Sequence, residues 1–260
     1  MRSVLTIARR EVATYFVSPL AYLILAVFSC ILSFSFVINL VSFANEAMIY
    51  GSNPYYQQQL NVNEQLVRPL FAGFIPVFFL ILLPALTMRL LPEERRQGTS
   101  ELILTSPLTS GQIVLGKFLG VTAVLAAMLA LTLPLIYVLK IVTQPDLLMI
   151  ASLYLGILLM GAAFLAIGLC LSAFTDNQVL AYVLGVGTLL GLWFLSAFEG
   201  PLTSWFGEKP AGFLRNLSII THFPDFAKGV VDTQHVVYYL SLITFSLLVT
   251  VRVVDSHRWR

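Results

Sequence analysis

Charge is what this sequence has least of. Only 11% of its 260 residues are Asp, Glu, Lys or Arg, less than half of the roughly 25% carried by ordinary soluble domains. So few charges cannot surface a globule in water. With 58% hydrophobic residues and a mean hydropathy of +0.88, disorder and a cytosolic enzyme are both excluded. A net charge of +2 is too small for a polyanion-binding module, so nucleic acid is not an expected partner. Cysteine is nearly absent. Cys30 and Cys170 lie inside apolar runs, and no CxxC or Cys/His cluster is present to hold a metal. His222, His235 and His257 are scattered, without an acidic partner at ligand or triad spacing, and read as ordinary interfacial side chains. There is no GxSxG, no HExxH and no carboxylate pair inside an apolar run, which leaves no catalytic residues to name for an intramembrane enzyme. A proton-coupled carrier is disfavoured because no charge lies deep within such a run.

What the sequence has instead is length without charge. A helix needs roughly 20 apolar residues to cross hydrocarbon, and six stretches supply candidates: 20–42, 70–91, 118–139, 147–173, 179–198 and the shorter 236–251. They are too continuously apolar for barrel strands, so the expected fold is an all-α membrane bundle, a single domain of six transmembrane helices. Tyr238, Tyr239 and Arg252 read as interfacial anchors of the short last span.

Six spans put both termini on one side. That side collects Arg2, Arg9, Arg10, Arg89, Arg95, Arg96, Lys117, Arg252, Arg258 and Arg260, ten basic residues, against five on the other: Arg68, Lys140, Lys209, Arg215 and Lys228. The positive-inside rule makes the ten-residue side cytoplasmic. Residues 1–19 read as an amphipathic interface helix rather than a secretory signal. Val4, Leu5, Ala8, Val12, Tyr15 and Phe16 recur opposite Arg2, Thr6, Arg9, Arg10 and Thr14, and Pro19 marks the turn into the membrane. Residues 43–68 read as a solvated outer loop, and 199–235, rich in Phe and Trp, as an outer lid or re-entrant segment. Asn216–Ser218 matches a glycosylation acceptor by chance.

Gly111 to Lys117 fits GxxxxGK, the phosphate-cradling loop. The following residue is Phe118 rather than Ser or Thr, and no strand precedes it, so the match is accidental. Lys117 is expected to snorkel at the inner boundary, with Gly116 and Gly120 as a helix-packing GxxxG. Residues 92–111 form the main inner segment. Pro92 starts a charged helix through Glu93, Glu94, Arg95 and Arg96, Gly98 loosens it, and Leu102, Ile103 and Leu104 add an apolar edge before Pro107. Apolar residues flanked by both signs of charge suit a docking surface for a soluble partner. Asp176 is expected to cap the fifth span, and with Asn177 offers a second inner contact. Ser29, Ser33 and Asn39 are candidate pathway-lining residues, alongside the ordinary packing role of small polar side chains.

The order of amphipathic helix, span, outer loop and a second span closing on Glu93-Glu-Arg-Arg-Gln-Gly-Thr-Ser-Glu-Leu102, with Thr-Ser-Pro and Gly-Lys behind it, resembles type-2 ATP-binding-cassette (ABC) permeases over nearly the whole chain. Phe226 to Thr233 resembles the branch serving gliding motility and nitrous-oxide-reductase maturation. The resemblance implies an inner-membrane permease, driven by a separate ABC ATPase that holds the ATP and magnesium. This chain itself would carry no cofactor and no enzyme activity. It further implies a second permease copy, an interface helix including Arg9, Arg10 and Glu11, and a coupling helix contributing Glu93, Glu94, Arg95, Arg96, Gly98, Thr99, Glu101 and Leu102. A membrane scaffold for an extracytoplasmic assembly is the alternative from another class.

Overall fold

The computed structural model describes residues 2–50, 61–96, 98, 108–143, 145–200, 203 and 208–258. Among them there is no strand, and six helices are long and apolar enough to cross a membrane: Ala21–Ile49, Asn63–Arg96, Ser110–Val142, Leu147–Ala173, Gln178–Phe198 and Thr233–Ser256. The fold is an all-α membrane bundle.

Helix α1 (Arg2–Val17) ends at Ser18, because Pro19 has no N–H to offer and opens α2 (Pro19–Tyr50). Two π-helical stretches, Asn63–Val67 and Pro69–Phe74, lead into α3 (Ile75–Thr87), and a short turn connects it to α4 (Pro92–Arg96). Helix α5 (Ser110–Ala130) starts with a capping box in which Thr109 and Gln112 exchange side-chain-to-backbone bonds. Pro134 interrupts the run, so α6 (Leu133–Val142) continues after a break where the Thr132 hydroxyl donates to the Leu129 carbonyl at 2.6 Å. Helix α7 (Leu147–Ala173) is capped by Asp146, and α8 (Gln178–Phe194) runs into a 3-10 turn at Leu195–Phe198. Then follow α9 (Glu208–Leu217), a 3-10 turn at Ile220–His222, α10 (Pro224–Ala227) and α11 (Thr233–Arg258).

Helix α7 is hydrophobic on every side, which is why it is the centre. Leu153, Ile157, Met160, Phe164, Leu165 and Leu169 are all buried, with α3, α5, α8 and α11 packed around them. By contrast α2 leaves Val27, Phe34, Val37, Ile38 and Val41 exposed, a face that hydrocarbon would cover.

Several boundaries and one cap differ from the sequence reading, and the third span runs over Ser110–Val142 rather than 118–139, because the capping box at Thr109 starts its helix eight residues early. The solvated loop expected over 43–68 is much shorter: α2 runs on to Tyr50 and helix resumes by Asn63, because Phe43, Ala44, Ala47 and Met48 continue the helix beyond the apolar count. Helix α11 has 26 residues rather than the marginal 16, since Arg252 and Asp255 lie within it. Asn177, not Asp176, caps α8, its Oδ1 accepting the Val179 and Leu180 N–H groups at 2.9 and 3.4 Å. Residues 97 and 99–107, including Thr99, Glu101 and Leu102, lie outside the described residues.

At the end of the bundle opposite α1, Phe223 and Phe226 are buried, Phe226 between Gly156 of α7 and Tyr239 of α11. Gly156 admits this packing, because a Cβ there would stand 2.6 Å from Phe226 Cβ. Tyr239 donates to the Ile219 carbonyl at 3.0 Å and Tyr238 to the Leu217 carbonyl at 2.7 Å. These tyrosines thus hold the 208–227 segment onto α11 rather than acting only as interfacial anchors.

Candidate functional site: the α1, α4 and α5 junction

Helix α1 lies along α5, and glycine makes the approach possible. A Cβ on Gly116 would sit 2.7 Å from Ile7 Cβ, and one on Gly120 would sit 2.6 Å from Glu11 Cβ. The inward face of α1 carries Val4, Ile7, Ala8, Glu11, Val12 and Tyr15, three and four residues apart, while Leu5 and Phe16 are exposed. A charged residue therefore sits in the middle of the packed stripe.

Glu11 is there because Lys117 is. The Lys117 ammonium lies 2.9 Å from Glu11 Oε1 and 2.8 Å from Glu94 Oε1, and donates to the Leu90 carbonyl at 2.8 Å. Arg10 meets Glu94 from the exposed side at 3.1 Å. Two carboxylates, one ammonium and one guanidinium make a formally neutral set. Burial of this kind is tolerable only when every charge has partners. The snorkelling expected of Lys117 is corrected: its side chain is 2% exposed and points into the junction rather than towards water. The three acceptors around its ammonium explain why. Gly111 to Lys117 all lie within α5, so the stretch has no phosphate loop geometry.

The turn between α3 and α4 is held from several directions. The Tyr15 hydroxyl donates to the Leu86 carbonyl at 2.6 Å, and burial, with the Glu11 charge behind it, pushes the phenol pKa up so that it remains a donor. Arg89 donates to Ser18 Oγ at 3.0 Å. With Lys117 on Leu90, the end of the α3 run finds carbonyl partners in α1 and α5. On the other flank Arg95 pairs with Asp176 at 2.9 Å and donates to the Ala173 carbonyl at 2.8 Å, tying α4 to the end of α7. Ser110 and Asp255 join α5 to α11 by a hydrogen bond at the same end. Gly98 has φ +69°, a left-handed conformation suited to ending α4.

Of the residues singled out in the sequence, Arg10, Glu11, Glu94, Arg95 and Asp176 are brought together here. Arg9 and Arg96 are exposed, and Asn177 is spent on its cap. Ser33 is exposed on α2, Ser29 is half-buried, and Asn39 donates to the Ser35 carbonyl at 2.8 Å. Lys117 was missed as a member of the site. The signal for it was present: one acid on an otherwise apolar stripe of α1, and one lysine directly after the first glycine of GxxxG.

His222 and His235 were also misread. His235 Nε2 lies 2.8 Å from Asp225 Oδ2, and His222 Nδ1 lies 2.9 Å from His235 Nδ1, so the acidic partner is Asp225, reached only because the chain folds back at Gly229.

Residues 35–227, from within α2 to the end of α10, match the family described as ABC-2 family transporter protein. The chain belongs to that family. No curated protein matches it. The ABC-2 assignment makes the chain a multi-pass membrane permease component of an ABC transporter, a transport subunit for which an ABC ATPase is the general partner. The junction lies at the end where this permease carries its charged inter-helical segment.

The Arg95 contacts give a graded prediction. Asp176 is 78% exposed, so Asp176→Asn should cost less than about 1 kcal/mol. Arg95→Ala should cost more, because the Ala173 carbonyl also loses its donor. Thermal unfolding of the two purified variants checks this order. Equal losses would show that the carbonyl contact contributes nothing.

Proposed function

We propose that the α1, α4 and α5 junction is the coupling site of an inner-membrane ABC exporter permease, with both termini cytoplasmic and two copies enclosing the pathway. The observation that carries the reading is the buried Lys117, which joins the segment following α3 to α1 and α5 through Glu94, Glu11 and Leu90. A displacement of α4 by a closing ATPase would be opposed by three helices at once, so the spans would move as packed bodies. ATP must bind the two states unequally for such a push to do work. Glu93, Glu94, Arg95, Arg96 and Gly98, with Thr99, Glu101 and Leu102 beyond the described residues, make up the docking segment, and Asp176 and Asn177 flank it. Ser29, Ser33 and Asn39 of α2 are the polar residues proposed for the pathway. The ten-to-five distribution of Lys and Arg supports the cytoplasmic placement. The Phe226 to Thr233 stretch supports a place in the gliding and nitrous-oxide-reductase-maturation branch.

Leu102→Asp tests docking while Lys117, Glu11 and Glu94 themselves are left unchanged. A carboxylate pressed into an apolar contact loses hydration and gains no partner, a cost of several kcal/mol, about 2 or more. The variant should insert in the membrane like the wild type and lose the ATPase on affinity purification. Full recovery of the ATPase with Leu102→Asp would contradict the assignment.

A further inference from the structure

We propose that His222 and His235 form one proton-holding clasp at the end of the bundle opposite α1, with a single proton shared between their Nδ1 atoms. The hydrogen-bond partners require it. His222 Nε2 lies 2.9 Å from the Asn216 carbonyl, which only accepts, so Nε2 carries hydrogen. His235 Nε2 lies 2.8 Å from Asp225 Oδ2, and that carboxylate also takes the Lys228 ammonium at 3.2 Å. The His235 and Lys228 contacts hold the Asp225 carboxyl below its usual range, so it too only accepts. Both Nε2 positions are thus filled, and the two Nδ1 atoms face each other at 2.9 Å. Two neutral rings would oppose lone pair to lone pair. Two imidazolium rings would oppose N–H to N–H. Three protons on four nitrogens satisfy every contact.

The surroundings suit one positive charge. Asp225 and Lys228 flank the pair from α10 and its end. The Tyr238 ring stacks on His222 at 3.8 Å between centroids, and Tyr239 reaches Ile219 instead. From α9, Arg215 is paired with Glu199, and Asp232 before α11 takes the Gln234 N–H. Across a groove of about 470 Å³ stand Glu64 and Arg68, paired with each other at 2.6 Å. The α7 residues beneath, Met149, Ser152 and Gly156, carry no charge. A zinc ion bound at about 2.0–2.1 Å to both nitrogens would hold them roughly 3.3 Å apart in tetrahedral geometry. The observed spacing suits a proton.

The clasp fastens residues 220–227 to the first turn of α11, and its strength depends on proton count. Burial pushes His222 below the ordinary histidine value of 6.5, with the Asn216 carbonyl opposing that shift and the His235 charge adding to it. The opened segment therefore binds more protons than the closed one as pH falls through 6.5, and acid releases it.

The test uses the full-length protein in lipid bilayers with ¹⁵N-labelled histidine rings. At neutral pH the pair should show three protonated ring nitrogens, one of them in an N–H···N bond. Amide exchange over 220–227, corrected for its intrinsic pH dependence, should be about tenfold faster at pH 5 than at neutrality. In His235→Gln, whose amide can still donate to Asp225, that pH dependence should vanish while α7 protection is retained. Two neutral rings titrating independently, a pH dependence unchanged in His235→Gln, or ring shifts that move on adding a chelator, which would signal a bound metal, each overturn the proposal.

Discussion

Lys117→Met should destabilise the permease by about 3–5 kcal/mol, the cost of breaking a buried pair and leaving its acids uncompensated. Methionine keeps most of the stem's volume, so the loss isolates the ammonium. Glu11 would lose its cation, and the Leu90 carbonyl its donor, while Glu94 would keep Arg10. Lys117→Met combined with Glu11→Leu should therefore recover most of the loss, because the one carboxylate left without a partner is gone. Thermal unfolding of both variants in the same detergent distinguishes this from a packing defect. A double variant as unstable as the single one would show that Lys117 acts through shape and not through charge.

Gly120→Leu should displace α1 from the bundle. Its Cβ alone would stand 2.6 Å from Glu11 Cβ and 3.2 Å from the Ala8 carbonyl oxygen, and the backbone at Ala8 cannot yield as a side-chain tip can. Overpacking of this kind costs about 1–3 kcal/mol, and here it also pulls Glu11 away from Lys117. Gly111→Ala is the matched control, since a Cβ there meets nothing within 4 Å and alanine favours the helix by up to about 1 kcal/mol. Amide exchange across α1 should rise strongly in Gly120→Leu and stay unchanged in Gly111→Ala. Equal exchange in both would mean that α1 does not depend on the α5 glycines.

The class of fold was legible because hydrocarbon imposes a simple rule, and Asp146, the charge that precedes the fourth apolar run, is also the residue whose side chain caps α7. Helix ends were less legible. Helix α2 continues past Ser42 through residues that are neither apolar enough to count as span nor polar enough to end a helix, and backbone bonding prolongs it. The charged α4 segment could be read from the order of residues, but the contact of Asp176 with Arg95 could not, because 81 residues separate them. The pairing of Lys117 with Glu11 could not, because 106 residues separate them and only the close passage of α1 over Gly116 and Gly120 brings them together. The histidine pair failed for the same reason in miniature: thirteen residues apart, it depends on the turn at Gly229, whose φ of +85° no periodicity announces.

The central claim, that the α4 end of the junction receives the ATPase, is tested most directly by a photo-crosslinking residue at Arg96, which is exposed at the end of α4. With Glu208, at the start of α9 on the opposite end, as the comparison site, irradiation of intact cells should give an ABC ATPase adduct from position 96 and none from position 208. An adduct from 208, or from neither position while the complex remains assembled, would contradict the account.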